Sequence, residues 1–158
     1  MGVRARGGGN RRHRSAVLNA LGCRKVTAIA RDVTRADELA HAADRIGIAL
    51  RIRPWDQAAR HLPAGLVVSA LPPGAADLLA PCWPGAGKAL LDVVHRPWPT
   101  PLAQAARRAG STVIGGLPML LHQAARQVKL QTGRTPAPLA AMRTATEGAL
   151  RTRRRNQP

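Results

Sequence analysis

The sequence has 158 residues, of which 45% are hydrophobic. This length and composition allow one domain with a hydrophobic core and exclude a chain that is disordered throughout. The formal net charge is +17, but residues 1–14 hold five Arg, residues 151–158 hold four, and neither segment has an acidic residue. We therefore predict an irregular basic segment at 1–14 and a disordered basic tail at 151–158, and we expect no specific nucleic-acid binding.

The positions of the cysteines and the lengths of the apolar runs indicate the cellular compartment of the protein. Cys23 and Cys82 lie far apart and outside any CxxC pair, which predicts two buried thiols in a reducing compartment and no metal site. The sequence has no apolar run of about 18 residues, and no apolar stretch follows the basic N-terminus as it would in a signal peptide. We therefore expect a cytoplasmic protein with no membrane partner.

Short apolar runs alternate with helical patterns along the chain. Strands are predicted at 25–30, at 48–53, within 64–74, at 88–94 and at 111–116. Helices are predicted at 34–47 with Thr34 as the N-cap, at 100–110 with Thr100 as the N-cap and Pro101 next, at 115–128 and at 136–151. This alternation predicts an α/β fold with a Rossmann-like, doubly wound parallel sheet, in which ligands bind at the carboxyl ends of the strands.

Two arginines flank the end of the strand at 25–30. Arg31 follows the strand directly and Arg35 lies in the first turn of the next predicted helix, so both guanidinium groups can face one loop and bind a phosphate monoester as a fork. In a dinucleotide site this position meets the adenosine ribose, where arginine suits a 2′-phosphate. The alternative is two solvated arginines, and Asp32 could pair with either of them.

Later strand ends carry a second group of candidates. Ser69 ends an apolar strand before a proline turn, and such an end can lie along a flat ring or a ribose, or can be a plain exit into a loop. Asp92 lies inside an apolar strand, so its carboxylate needs a partner from local backbone or a nearby side chain. His95 follows that strand and is either a substrate ligand or a solvated loop residue.

The helix predicted at 115–128 carries a further pair. Met119 and Gln123 are one turn apart and share a face, and Gly116 has no side chain to keep a flat ligand away from its backbone. We interpret this face as one wall of a pocket between a cofactor ring and a substrate. The alternative is a core methionine with a glutamine at its rim.

Two longer stretches carry a resemblance to a known family. They are LLDVVHRPWPTPL at 90–102 and GGLPMLLHQAARQVKLQTGRTPAPLAAM at 115–142. In these stretches and over residues 15–150 as a whole, the sequence resembles the C-terminal, cofactor-binding half of shikimate dehydrogenase. The resemblance implies an NADP-binding Rossmann-like domain at 15–150 and an oxidoreductase that interconverts 3-dehydroshikimate and shikimate in chorismate and aromatic amino-acid biosynthesis.

The resemblance also implies roles for residues at matching positions. Arg31 and Arg35 hold the 2′-phosphate of NADP. His95, where the family usually has tyrosine, and Gln123 contact the hydroxy-acid substrate. The remaining implied cofactor-binding residues are Ser69, Ala70, Leu71, Val93, Gly116, Met119 and Leu120.

Two features depart from the family pattern. The family's catalytic lysine and aspartate belong to an N-terminal substrate domain that we expect to be missing, so we assign no catalytic residue. The phosphate-binding turn keeps Gly7 and Gly9, but Arg12 stands where G-x-G-x-x-G has its third glycine. Because MGVRAR is also a poor strand, we expect a first strand that is degraded or missing, through a truncation or a reading-frame error before about residue 15.

These departures leave three functional interpretations. The first is a shikimate dehydrogenase-like chain with little activity alone. The second is a non-catalytic NADP-binding module or remnant. The third and least favoured is a basic protein that binds nucleic acid through its arginine-rich ends.

Overall fold

A computed structural model describes residues 22–32 and 37–155. The predicted basic segment 1–14, the glycine-rich turn, the degraded first strand and the helix cap Thr34 all lie outside these residues, and so does Arg35. The chain divides into two compact units, Met1–Gly115 and Gly116–Pro158. The first unit holds all the described strands, and the second consists of helices and their connection.

The described strands are all parallel to their neighbours. They are β1 (Lys25–Ala30), β2 (Ala49–Pro54), β3 (Leu66–Ser69), β4 (Ala89–Asp92) and β5 (Thr112–Ile114). Within the described residues, β1 pairs with β2, and β3, β4 and β5 follow one another in a second group. The predicted α/β fold with parallel strands is confirmed, and β1 has the predicted bounds.

The described α-helices follow the predicted order with shifted ends. They are α1 (Asp37–Asp44), α2 (Pro101–Arg108), α3 (Gly116–Thr132) and α4 (Leu139–Arg155). Helix α2 begins as predicted, because the Thr100 side chain accepts a hydrogen bond from the Ala103 N–H and Pro101 occupies the first turn. Two 3₁₀ helices, Trp55–His61 and Asp77–Cys82, lie where the sequence analysis predicted no element.

Two further expectations differ from the structure. Helix α4 continues to Arg155, so most of the segment 151–158 is helical rather than a disordered tail. Arginine is a good helix former, and charge alone does not end a helix that has already begun. Of the two thiols predicted to be buried, Cys23 is half-buried and Cys82 is exposed. Cys82 ends the second 3₁₀ helix, in which no residue is buried.

Two clusters of buried side chains form the core of the first unit. The larger joins β3 and β4 to α2, with Leu90, Leu102 and Ala103 at its centre, and Trp55 and Trp98 pack against its edge. The smaller joins β1 to α1 through Val26, Ala43 and Ile48. Because these clusters fix the strands, they also fix the strand ends where ligands bind in folds of this class.

Candidate functional site

The carboxyl ends of β1 and β2 bring an arginine and a tryptophan together. Ala30 pairs with Pro54 in the parallel register, so Arg31 and Trp55 leave the two strands side by side. The Arg31 guanidinium carbon lies over the Trp55 ring, 5.7 Å from its centroid, within the range of a cation–π contact. Arg31 is exposed and Trp55 is half-buried. The structure therefore presents a restrained cation at this edge of the sheet.

The end of β3 contains a buried hydroxyl group without a described partner. Ser69 is 4% exposed, and its Oγ has no hydrogen-bond partner within the described part of the chain. Its backbone carbonyl accepts a hydrogen bond of 3.0 Å from the Val93 N–H. An unpaired buried hydroxyl is costly, so this group is suited to a water molecule or to a polar atom of a ligand.

A narrow cavity of about 30 Å³ lies beside Ser69, lined also by Trp55, His61 and Leu71. It has room for a water molecule but not for an aromatic ring. A larger cavity of about 210 Å³ lies at the amino ends of β1 and β3, lined by Lys25, Gly65 and their neighbours. None of the residues predicted as site residues lines this second cavity, so volume alone does not locate the site.

The chain leaves β3 through a tight turn. Ala70 is half-buried and Leu71 is buried, and the Ala75 N–H donates a 3.2 Å hydrogen bond to the Pro72 carbonyl. Gly74 has a φ of 81°, and Pro73 followed by a glycine of positive φ is the pattern of a type II turn. The predicted rigid proline turn is therefore confirmed, and it holds residues 69–71 at the carboxyl end of the strand.

A buried carboxylate at the end of β4 forms a hydrogen bond with the N-cap residue of α2. Asp92 is 1% exposed. One of its oxygens accepts a 2.7 Å hydrogen bond from the Thr100 hydroxyl, and the other accepts a 3.2 Å bond from the Val94 N–H. The Thr100 hydroxyl in turn accepts a 3.1 Å bond from the Ala103 N–H. The expected partners of Asp92, local backbone and a nearby side chain, are both confirmed.

This arrangement closes a loop that carries two of the predicted site residues. Val93 is half-buried and His95 is exposed. Trp98 lies later in the same loop, and its ring packs on Gly115 at the end of β5, where an added Cβ would stand 2.7 Å from the ring atom Cζ2. The Arg107 guanidinium lies 5.4 Å from the centroid of the Trp98 ring. The loop is therefore held at both of its ends.

The remaining predicted site residues begin the second unit. Gly116 is the first residue of α3 and is buried, Met119 is half-buried, and Leu120 and Gln123 are exposed. Met119 and Gln123 lie one turn apart on the helix, as predicted. The pocket that we predicted along this face stays a prediction.

The structure adds Trp55 to the residues predicted from the sequence. The signal that could have found it is its position directly after a predicted strand and its terminating Pro54, which is the place that Arg31 occupies after the preceding strand. Among the described residues, no group of three or more His, Cys, Asp or Glu side chains could hold a metal ion. No helix in residues 22–32 and 37–155 is long and apolar enough to cross a membrane.

Comparisons with known proteins find the same family similarity in two ways. A family model described as "Shikimate 5'-dehydrogenase C-terminal domain" matches residues 116–147. The NADP(+) shikimate dehydrogenase of Rhodospirillum rubrum is 35% identical over 152 residues, which cover 89% of this chain and 52% of that protein. Both comparisons point to the same family.

Solved structures extend the similarity to the fold. The crystal structure of shikimate dehydrogenase from Mycobacterium tuberculosis has a TM-score of 0.79 and 37% identity, over 91% of this chain and 55% of that one. The Thermus thermophilus enzyme, solved with NADP(H) and shikimate, has a TM-score of 0.61 and 29% identity, over 84% of this chain and 48% of that one. The chain thus spans about half the length of these relatives.

The predicted Rossmann-like fold is therefore confirmed. The resemblance to the shikimate dehydrogenase family is also confirmed, and the part of that family that the chain resembles is the C-terminal part.

Proposed function

We propose that this chain is the NADP-binding part of a shikimate dehydrogenase-like oxidoreductase. The observation that carries the proposal is Arg31, an exposed cation held at the carboxyl end of β1, where dinucleotide-binding folds meet the adenosine ribose. A carboxylate at this position would favour a free 2′-hydroxyl, whereas arginine favours a 2′-phosphate. The related proteins named as NADP(+) enzymes support the same cofactor.

In this proposal the chain's own residues bind and orient the cofactor. Arg31 and Arg35 bind the 2′-phosphate, although Arg35 lies outside the described residues. Residues 69–71 lie along the dinucleotide, and the Ser69 hydroxyl, which has no partner among the described residues, fits a polar atom there or a bridging water molecule. When bound, NADP supplies a nicotinamide ring that accepts or donates a hydride.

The nicotinamide and substrate end of the site is proposed from the same resemblance. The resemblance implies a nicotinamide contact for Val93 of the first unit and, taken separately, for Gly116, Met119 and Leu120 at the start of α3. His95 and Gln123 are exposed, and the resemblance implies for each a contact with a hydroxy-acid substrate such as shikimate. Because no catalytic residue is assigned to this chain, we propose that it has little activity alone.

Titration calorimetry of the full 158-residue chain with NADP and with NAD tests the proposal. We expect NADP to bind more tightly than NAD. Arg31→Ala should weaken NADP binding by about tenfold, the low end for a charged hydrogen bond because Arg31 is exposed to solvent, and should leave NAD binding unchanged.

Arg108→Ala is the matched control for Arg31→Ala. Arg108 is also exposed, but it ends α2, so it lies away from the carboxyl ends of the strands. Its removal lowers the net charge equally and should leave both affinities near those of the unmodified chain. Equal affinities for NADP and NAD, or equal losses in both variants, would count against the proposal.

An activity assay tests the proposal that the chain has little activity alone. NADPH formation with shikimate as substrate, measured on the chain alone and normalised to the bound fraction of NADP, should be undetectable or very slow. Rapid turnover would overturn the proposal of little activity, while the cofactor assignment would stand on the titration.

A further inference from the structure

Trp55 follows β2 directly, as Arg31 follows β1. The last register pair of the two strands is Ala30 with Pro54, so the next residue of each strand lies at the same edge of the sheet. The 3₁₀ helix that begins at Trp55 turns the chain away at this point. The register of β1 with β2 therefore places the indole ring next to the arginine side chain.

The core holds the indole ring in place. Trp55 is half-buried and packs against the larger core cluster that contains Leu62, Val67 and Leu71. It also lines the narrow cavity beside Ser69. Because its ring is anchored by this packing, Trp55 provides a fixed surface beside the exposed Arg31 side chain.

The contact with Trp55 suits Arg31 for phosphate binding. A cation–π contact is an attraction between the charge of the guanidinium group and the ring and does not use up its five N–H donors, which can still bind a phosphate. A free arginine side chain samples many rotamers and loses that freedom when it binds an anion. Restraining it beforehand lowers the entropy lost on binding.

From these observations we infer that Trp55 is a positioning residue for Arg31 and strengthens the preference of the chain for a dinucleotide that carries a 2′-phosphate. The inference rests on the proposed function, because it requires that Arg31 bind that phosphate. Trp55 acts through Arg31, so its removal should affect NADP and not NAD. An indole ring that stacked directly on the adenine base would affect both dinucleotides alike, since both carry adenine.

The test measures NADP and NAD affinities of the full chain, four variants and one control variant by titration calorimetry at one salt concentration. The variants are Trp55→Leu, which keeps an apolar side chain but removes the π face, Trp55→Phe, which keeps a smaller aromatic face, Arg31→Ala, and the double variant Trp55→Leu/Arg31→Ala. Arg108→Ala serves as the control, because it removes an exposed arginine that lies away from the carboxyl ends of the strands. Circular dichroism checks that each variant is folded.

We expect Trp55→Leu to weaken NADP binding by about two- to fivefold, the range for an exposed cation–π contact, and to leave NAD binding unchanged. Trp55→Phe should recover part of the loss but not all of it, and Arg108→Ala should change neither affinity. In the Arg31→Ala background, Trp55→Leu should have no further effect, because the residue it positions is gone.

Three results would overturn the inference while the proposed function stands. These are unchanged NADP affinity in Trp55→Leu, equal losses for NADP and NAD, and an undiminished effect of Trp55→Leu when Arg31 is absent. If the unmodified chain shows no preference for NADP and Arg31→Ala has no effect, both the proposed function and this inference fail. If Trp55→Leu does not fold, the comparison of Trp55→Phe with the unmodified chain decides, and identical NADP to NAD affinity ratios would then contradict the inference.

Discussion

Replacing Thr100 by valine should destabilise the chain more than the small change in side-chain size suggests. The Thr100 hydroxyl donates to the buried Asp92 carboxylate over 2.7 Å and accepts from the Ala103 N–H over 3.1 Å. Valine keeps the shape of threonine but removes both hydrogen bonds. The helix cap contributes roughly 0.5–2 kcal/mol, and a hydrogen bond to a charged group contributes roughly 1.5–3 kcal/mol.

The two losses share one hydroxyl group and are not independent, so we expect a total of about 3 kcal/mol rather than their full sum. This is a large part of the roughly 5–15 kcal/mol that stabilises a typical domain. Urea unfolding followed by circular dichroism gives the free energy of unfolding for Thr100→Val. Thr100→Ser is the control, because it keeps the hydroxyl and loses only a methyl group, about 1 kcal/mol.

A Thr100→Val variant that loses no more stability than Thr100→Ser would refute this reasoning, because the hydroxyl group would then contribute nothing. The Asp92→Asn background gives a second check. There the carboxylate charge is absent, so the additional cost of Thr100→Val should fall toward that of the helix cap, roughly 0.5–2 kcal/mol. An undiminished cost would show that the interaction of Thr100 with the charged Asp92 is not the source of the loss.

Two further predictions concern single residues: one compares two glycines, and the other removes the Ser69 hydroxyl. Gly115→Ala should lower stability by roughly 1–3 kcal/mol, because the new Cβ would stand 2.7 Å from the Trp98 ring. Gly148→Ala should instead raise the stability of α4 by roughly 0.5–1 kcal/mol, because its Cβ would meet no atom of the described residues within 4 Å. Thermal unfolding of both variants checks this, and equal effects would contradict it. Ser69→Ala should leave the urea midpoint unchanged or raised, because the hydroxyl has no described partner; a clear loss would reveal a partner such as a bound water molecule.

The sequence predicted most reliably what depends on local pattern. The apolar run at 25–30 became β1 with the predicted bounds, and Thr100 before Pro101 was enough to predict the start of α2. Both depend on short-range rules, namely the period of apolar residues and the hydrogen bonds of a helix end. The need of Asp92 for a partner was also predictable from its burial in an apolar strand.

The features that the sequence did not predict depend on contacts between distant segments or on weak local signals. The contact of Trp55 with Arg31 follows from the register of β1 with β2, and register is set by the whole sheet rather than by either strand. The 3₁₀ helix at Trp55–His61 has no clear apolar period to reveal it. The close approach of Trp98 to Gly115 joins a loop to another strand end, which no local pattern encodes.

We propose that a dinucleotide with a 2′-phosphate binds at the carboxyl ends of the strands in this chain. Amide chemical-shift mapping of the isotope-labelled full chain during titration with NADP and, separately, with NAD tests it most directly. We predict that NADP shifts the amide signals of Arg31, Ala70, Leu71 and Val93, and that the change at Arg31 is largely lost with NAD. Shifts confined to the arginine-rich residues 151–155, or the same pattern at Arg31 with both dinucleotides, would contradict the claim.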